Sequence, residues 1–140
     1  MGFALKMVVL ILISYIAALF MPPAASSQEE AIMVTEAHLA DMPCKYVDKR
    51  IVTDAKYMDI STALLNDTHY DKGARFESKG YINFRTVEEQ ILTYFMRQSK
   101  ADILATLHEG DRIVITGVVT SCADSRPWIE VDSVIRAPQK

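Results

Sequence analysis

Tyr46–Arg50 leads into a strand-like run, Ile51–Ile60, whose inward positions recur with the period of two that marks a half-buried strand. The inward set reads Ile51, Thr53, Ala55 and Tyr57, and then shifts parity to Met58 and Ile60. A strand that changes its inward face in this way contains a bulge or a sharp bend. Upstream, Thr35–Met42 predicts a short helix capped by Thr35 and stopped by Pro43, with Leu39 and Met42 facing inward. Downstream, Ser61–Gly73 is loop-like, and Ala74–Phe84 reads as a second strand region with a break at Gly80. Thr86-Val87-Glu88-Glu89 has the form of a capping box and predicts a helix, with Val87, Ile91, Leu92 and Phe95 on one face. Ile103, Leu104 and Leu107 form a face rotated away from it, so the pattern predicts two short helices or one kinked helix ending at Gly110. The β-branched run Arg112–Thr120 is the clearest strand, with Gly117 marking a bend or a close backbone approach. Trp128–Ile135 is the last strand, with Ile129, Val131 and Ile135 on one face and Glu130 and Asp132 on the other. Asp48–Val52 and Gly110–Val114 echo each other as charged turns feeding strands, which is similar local structure and not a repeat array.

Length and charge narrow the class. The chain has 140 residues, enough for one domain, and a charged fraction of 24%, ordinary for a globular protein. A net charge of −3 argues against a basic nucleic-acid binder. Much of the hydrophobicity sits at the N-terminus. Lys6 precedes an apolar run from Met7 to Met21, followed by Pro22-Pro23-Ala24-Ala25-Ser26-Ser27. A basic residue, roughly fifteen apolar residues and a small-residue exit have the form of a cleaved signal peptide, whereas a membrane span needs roughly twenty. The domain plan is therefore a signal peptide over 1–27, a linker over 28–34 and one domain over 35–138, with a periplasmic or secreted location. An uncleaved N-terminal membrane anchor is the alternative. Cys44 and Cys122 both follow the leader. In an oxidising compartment two cysteines predict one internal bridge; two buried free thiols or an intermolecular bridge are the alternatives.

The opening helix, Pro43, Tyr46, Asp48-Lys49 and the strand after them resemble the start of small exported OB-fold domains of the bacterial periplasmic, tRNA-anti-like kind. The run Gly110–Val118, a turn and Trp128–Ile135 look like the fourth and fifth strands of such domains. The resemblance implies a mainly β five-stranded Greek-key OB barrel, with a short N-terminal helix and a helix or kinked helix pair between strands three and four. Strands one and four are antiparallel neighbours in that topology. Cys44, before the first, and Cys122, at the end of the fourth, would then meet.

The chemistry-bearing residues are sparse. His38, His69 and His108 lie in different elements and form no zinc spacing. Asp67–Gly73 resembles a calcium loop poorly, with its glycine one place late and no Glu at the twelfth position. Asn66-Asp67-Thr68 is a glycosylation sequon only in a eukaryotic secretory host. Glu88/Glu89 and Glu130/Asp132 read as a helix first turn and a solvated strand face, and no nucleophile motif accompanies them. The expectation is a non-enzyme without a cofactor or metal. OB domains bind extended ligands across strands two and three with stacking side chains. The candidate ligand-binding residues are therefore Tyr57, Tyr81 and Trp128, with Arg75, Lys79, Arg85 and Arg126 supplying charge. Phe84 is a core candidate, and a core position is the alternative for Tyr81. The expected role is a binding module for an envelope protein, a saccharide or a small ligand. A single-stranded nucleic-acid binder is the first alternative, and a small hydrolase the second.

Overall fold

The structure, a computed structural model, describes residues 29–61, 76–89 and 91–138. The expected leader, Asn66, the Asp67–Gly73 loop, His69 and Arg75 lie outside the described residues.

The protein is mainly β. The elements are β1 (Ile32–Met33), α1 (Glu36–Asp41), β2 (Arg50–Ser61), β3 (Tyr81–Thr86) and β4 (Thr93–Arg97). A 3₁₀ segment (Gln98–Thr106) follows, then β5 (Arg112–Ser121), a 3₁₀ turn (Ala123–Ser125) and β6 (Trp128–Arg136). The strands form one six-stranded sheet in the order β1-β2-β3-β4-β6-β5, and β2 also pairs with β5. The β4–β6 and β1–β2 ladders are parallel and the others antiparallel.

Strand β2 carries the architecture. Residues Arg50–Lys56 pair with β5, and Tyr57–Ser61 pair with β3. The register slips between Tyr57 and Asp59, where the sequence changes parity. Ile51, Thr53, Ala55 and Tyr57 are buried as expected, whereas Ile60 beyond the slip is exposed. Gly117 lies at a second slip, between β5 and β6, and a Cβ there would stand 2.4 Å from the Glu130 carbonyl oxygen. Only glycine allows the two backbones to approach so closely.

Thr35 caps α1, its hydroxyl accepting from the His38 N–H at 3.2 Å. Leu39 is fully buried, but Met42 is exposed, because the helix stops at Asp41 and Met42 leaves its inward face. The segment expected to be a linker contains β1, held on β2 through the register Ile32↔Ile51.

Three expectations are corrected. The helix predicted from Thr86 onward does not form. Thr86 ends β3, and Thr93–Arg97 is strand β4. Thr93, Tyr94, Phe95 and Met96 are all buried, so β4 is covered on both faces and shows no alternation that would separate it from a buried helix. The helical insert between β4 and β5 is a single 3₁₀ segment starting at Gln98, with Ala101 and Leu104 buried. In β6 Ile129 and Val131 are buried as expected, but beyond them Val134 is buried and Ile135 is exposed. Opposite Thr116 and Gly117 stand Ser133 and Val131, so Asp132 is an extra residue that turns the inward face over.

The main core gathers Leu39, Ile51, Phe84, Tyr94, Met96, Ile113, Ile115, Ile129 and Val131. A second, separate cluster consists of Phe76, Phe95 and Trp128. The Cys44–Cys122 bridge is present, with a Cα–Cα distance of 5.1 Å. Disulfides of this kind persist in oxidising, extracytoplasmic compartments. Among the described residues no helix is long and apolar enough to cross a membrane.

Candidate binding face

Side chains alternate across the sheet, so β3, β4 and β6 present two different faces. Phe84, Tyr94, Met96, Ile129 and Val131 enter the main core. Tyr81, Asn83, Arg85, Thr93, Phe95, Arg97, Trp128 and Glu130 occupy the positions of opposite parity and form the outer face. Tyr81 stands opposite Arg97, Asn83 opposite Phe95, Phe95 opposite Glu130, and Thr93 opposite Trp128.

The base of this face is aromatic. Phe76, just ahead of the turn into β3, lies parallel to Phe95 with centroids 4.0 Å apart and planes at 6°. Phe95 and Trp128 are also parallel, 5.4 Å apart at 2°. Tyr81 meets Phe76 edge-on at 5.0 Å. Ala123 of the turn after Cys122 packs on the same group. Trp128 is 1% exposed, and its buried indole N–H has no acceptor among the described residues.

A polar group overlies this base. The Tyr81 hydroxyl donates to Glu130 Oε1 at 2.9 Å, Arg97 approaches the same oxygen at 3.4 Å, and the Arg97 guanidinium sits 5.3 Å from the Tyr81 ring centroid. Burial, and after it the Glu130 carboxylate, raises the Tyr81 pKa above its ordinary value. Further along, Arg85 Nε donates to Asp59 at 2.7 Å, which lowers the Asp59 pKa.

Of the sequence candidates, Tyr81, Arg85 and Trp128 share the outer face. Tyr57 does not: it is 5% exposed in the main core, tilted against Phe84. Trp128 lies beneath the face, so its ring is not a free stacking surface. Lys79 is exposed and paired with Glu77, and Arg126 is partly exposed in the turn before β6. Arg97, Phe76 and Phe95 escaped the sequence reading. Phe95 reads locally as part of a helix face, and Phe76 carries no local signal of what it will meet.

Glu36 also escaped it. This residue is 4% exposed, yet it is a carboxylate on the first turn of α1. Its Oε1 accepts from the Thr86 and Tyr94 hydroxyls, both at 2.7 Å, and its buried Oε2 has no partner among the described residues. Burial raises its pKa, and the two hydroxyls and the nearby Glu88 and Glu89 modify that rise in opposite directions. The group ties α1 to β3 and β4.

Several other titratable groups form surface pairs. Glu88 pairs with Lys56, Asp132 with Arg50, and Asp111 with Arg136. Glu88 and Glu89 stand in the connection between β3 and β4, so they have no helix first turn to favour. The His108 ring lies 3.9 Å from Asp111, and the His38 ring packs edge-on against Tyr46. Among the described residues no three metal-ligating side chains cluster. No protein-family model matches the sequence, and no curated protein matches it either.

Proposed function

We propose that the chain is an exported, non-catalytic OB-type binding module that engages its partner on the outer face of β3, β4 and β6. The pairing order supports the fold reading. Strands β2, β3, β4, β6 and β5 are joined in turn and β5 is joined back to β2, with only β4–β6 parallel, as expected of a five-stranded Greek-key barrel. The strands β3 and β4 then correspond to the pair across which OB domains take ligands.

One observation carries the functional reading: Tyr81, Arg97 and Glu130 are joined in a single polar group above an aromatic base that the main core does not include. The cations of this region support a neutral or mixed-charge partner, a protein segment or a saccharide. Lys79, Arg85 and Arg97 each have a carboxylate beside them, so little positive potential is left for a phosphate backbone.

The test is a titration of the isotope-labelled chain, lacking residues 1–27, with neutral oligosaccharides and with peptides. Saturable amide shifts confined to Tyr81, Arg97 and Glu130, lost in the double variant Tyr81→Ala, Arg97→Ala, support the reading. Binding only to oligonucleotides, with a steep salt dependence, would replace it with the nucleic-acid alternative.

A further inference from the structure

A second exposed surface lies on β1, β2, β5 and the end of β6, and it shares no residue with the aromatic cluster. Ile51, Thr53 and Ala55 of β2 are buried, so Val52, Asp54 and Lys56 point outward. By the same alternation β5 turns Arg112 and Val114 outward. Asp54 stands opposite Val114, Lys56 opposite Arg112, and Val114 opposite Ile135 of β6. Met33 of β1 stands opposite Val52. Two large apolar side chains of this surface reach solvent, Ile135 at 59% and Met33 at 71% exposure. Just past the end of β1, Met33, Val34, Thr35 and Asp54 line an open cavity of about 210 Å³. Met33 and Val34 give it an apolar wall, and Asp54 supplies a carboxylate. Arg50 and Lys56 on the same surface are paired with Asp132 and Glu88. The exposed side chains of Asp54 and Arg112 have no partner among the described residues. An apolar wall beside an unpaired carboxylate fits an arginine, whose stem takes the wall and whose guanidinium takes the carboxylate.

We propose that the cavity beside Asp54 receives Arg112 of a second copy of this chain, which makes the β2–β5 surface a symmetric dimer interface. The surface carries its own complement. Asp54 and Arg112 lie one ladder step apart, since Asp54 faces Val114 and Arg112 faces Lys56. A two-fold axis running between them sets Asp54 of each copy against Arg112 of the other and yields two equal ion pairs, as an isologous contact requires. Val114, next to both, meets its own counterpart near that axis, and Ile135 beside it loses its exposure to water. The interface is separate from Tyr81, Arg97 and Glu130, so neither reading depends on the other.

Sedimentation equilibrium of the protein purified after expression of the full sequence tests this. The expected result is a concentration-dependent monomer–dimer equilibrium. Asp54→Arg and Arg112→Asp each set like charges together at both contacts, and each should weaken the dimer by roughly tenfold or more. A one-to-one mixture of the two variants rebuilds both ion pairs in the heterodimer and should associate nearly as well as wild type. The double variant Asp54→Arg, Arg112→Asp should do so with itself. Asp54→Asn and Arg112→Gln, which keep the side-chain shapes, should weaken association several-fold and serve if a charge reversal does not fold. A monomer at every concentration up to about 1 mM, a dimer indifferent to the single variants, or a mixture and double variant that both stay monomeric overturns the proposal.

Discussion

The inner and outer sides of β3, β4 and β6 each carry a buried aromatic cluster, assembled by different means. On the inner side Phe84 and Tyr94 stack at 5.2 Å within a core that draws on all the long strands, α1 and the 3₁₀ segment. Its one buried carboxylate, Glu36, has two hydroxyl donors. On the outer side three aromatic rings form a cluster that depends on Phe76, a residue outside the strands, and on Ala123 in a turn. The buried Trp128 N–H has no acceptor among the described residues, as the buried Glu36 Oε2 has no donor on the inner side. The difference separates a cluster assembled almost wholly from packed strands and helices from one that needs residues outside them.

That contrast breaks first on truncation. Phe84→Ala should cost about 3–5 kcal/mol in urea unfolding, as for large aromatic deletions in a packed core. Phe76→Ala should cost less than half as much. Equal losses would make the outer cluster an ordinary second core.

Replacing both cysteines by serine should lower stability by roughly 4 kcal/mol, the chain-entropy value for closing a loop of this length, the two being 78 residues apart. Cys122 leads directly into the Ala123 turn, so the same variant should perturb the Trp128 resonance more than those of the inner core.

Glu36 tests the inner side. Its folded pKa is raised by burial, so the folded state holds the proton more tightly than the unfolded chain, whose carboxyl titrates near 4.5. Stability is therefore greatest below that value and declines as pH climbs to the folded pKa, above which the loss is complete. In Glu36→Gln, urea midpoints should lose this decline while the Thr86 and Tyr94 hydroxyls keep an acceptor. Glu36→Ala removes that acceptor and should cost about 1–3 kcal/mol for each stranded hydroxyl.

The smallest effect is expected at the polar surface. Arg97→Ala should change stability by less than about 1 kcal/mol, since its partner is a partly exposed carboxylate. It should nevertheless abolish partner binding on the outer face. A large stability loss would recast the Tyr81–Arg97–Glu130 group as structural.

Local pattern was enough for several elements. Thr35 followed by a short apolar face specified α1, alternation and its parity change specified β2 with its slip, and β-branched density specified β5. The position of Gly117 was legible as a close approach, though not the backbone it approaches. The two cysteines were legible as an internal pair, with other outcomes open. Strand β4 was not legible, because burial on both faces erases the period that distinguishes strand from helix. The reversal in β6 was hidden for a related reason: an extra residue at Asp132 changes parity without a local marker.

Chain-local physics thus determined the capped helix and the strongest strands, because each depends on residues a few positions apart. Tertiary structure alone decided which aromatics are core and which lie under the outer face. It also decided that Glu36 would be buried 50 residues from Thr86, and that Phe76 would lie on Phe95. Such contacts join side chains far apart in the chain, and no local periodicity carries information about which partners the folded sheet will bring together.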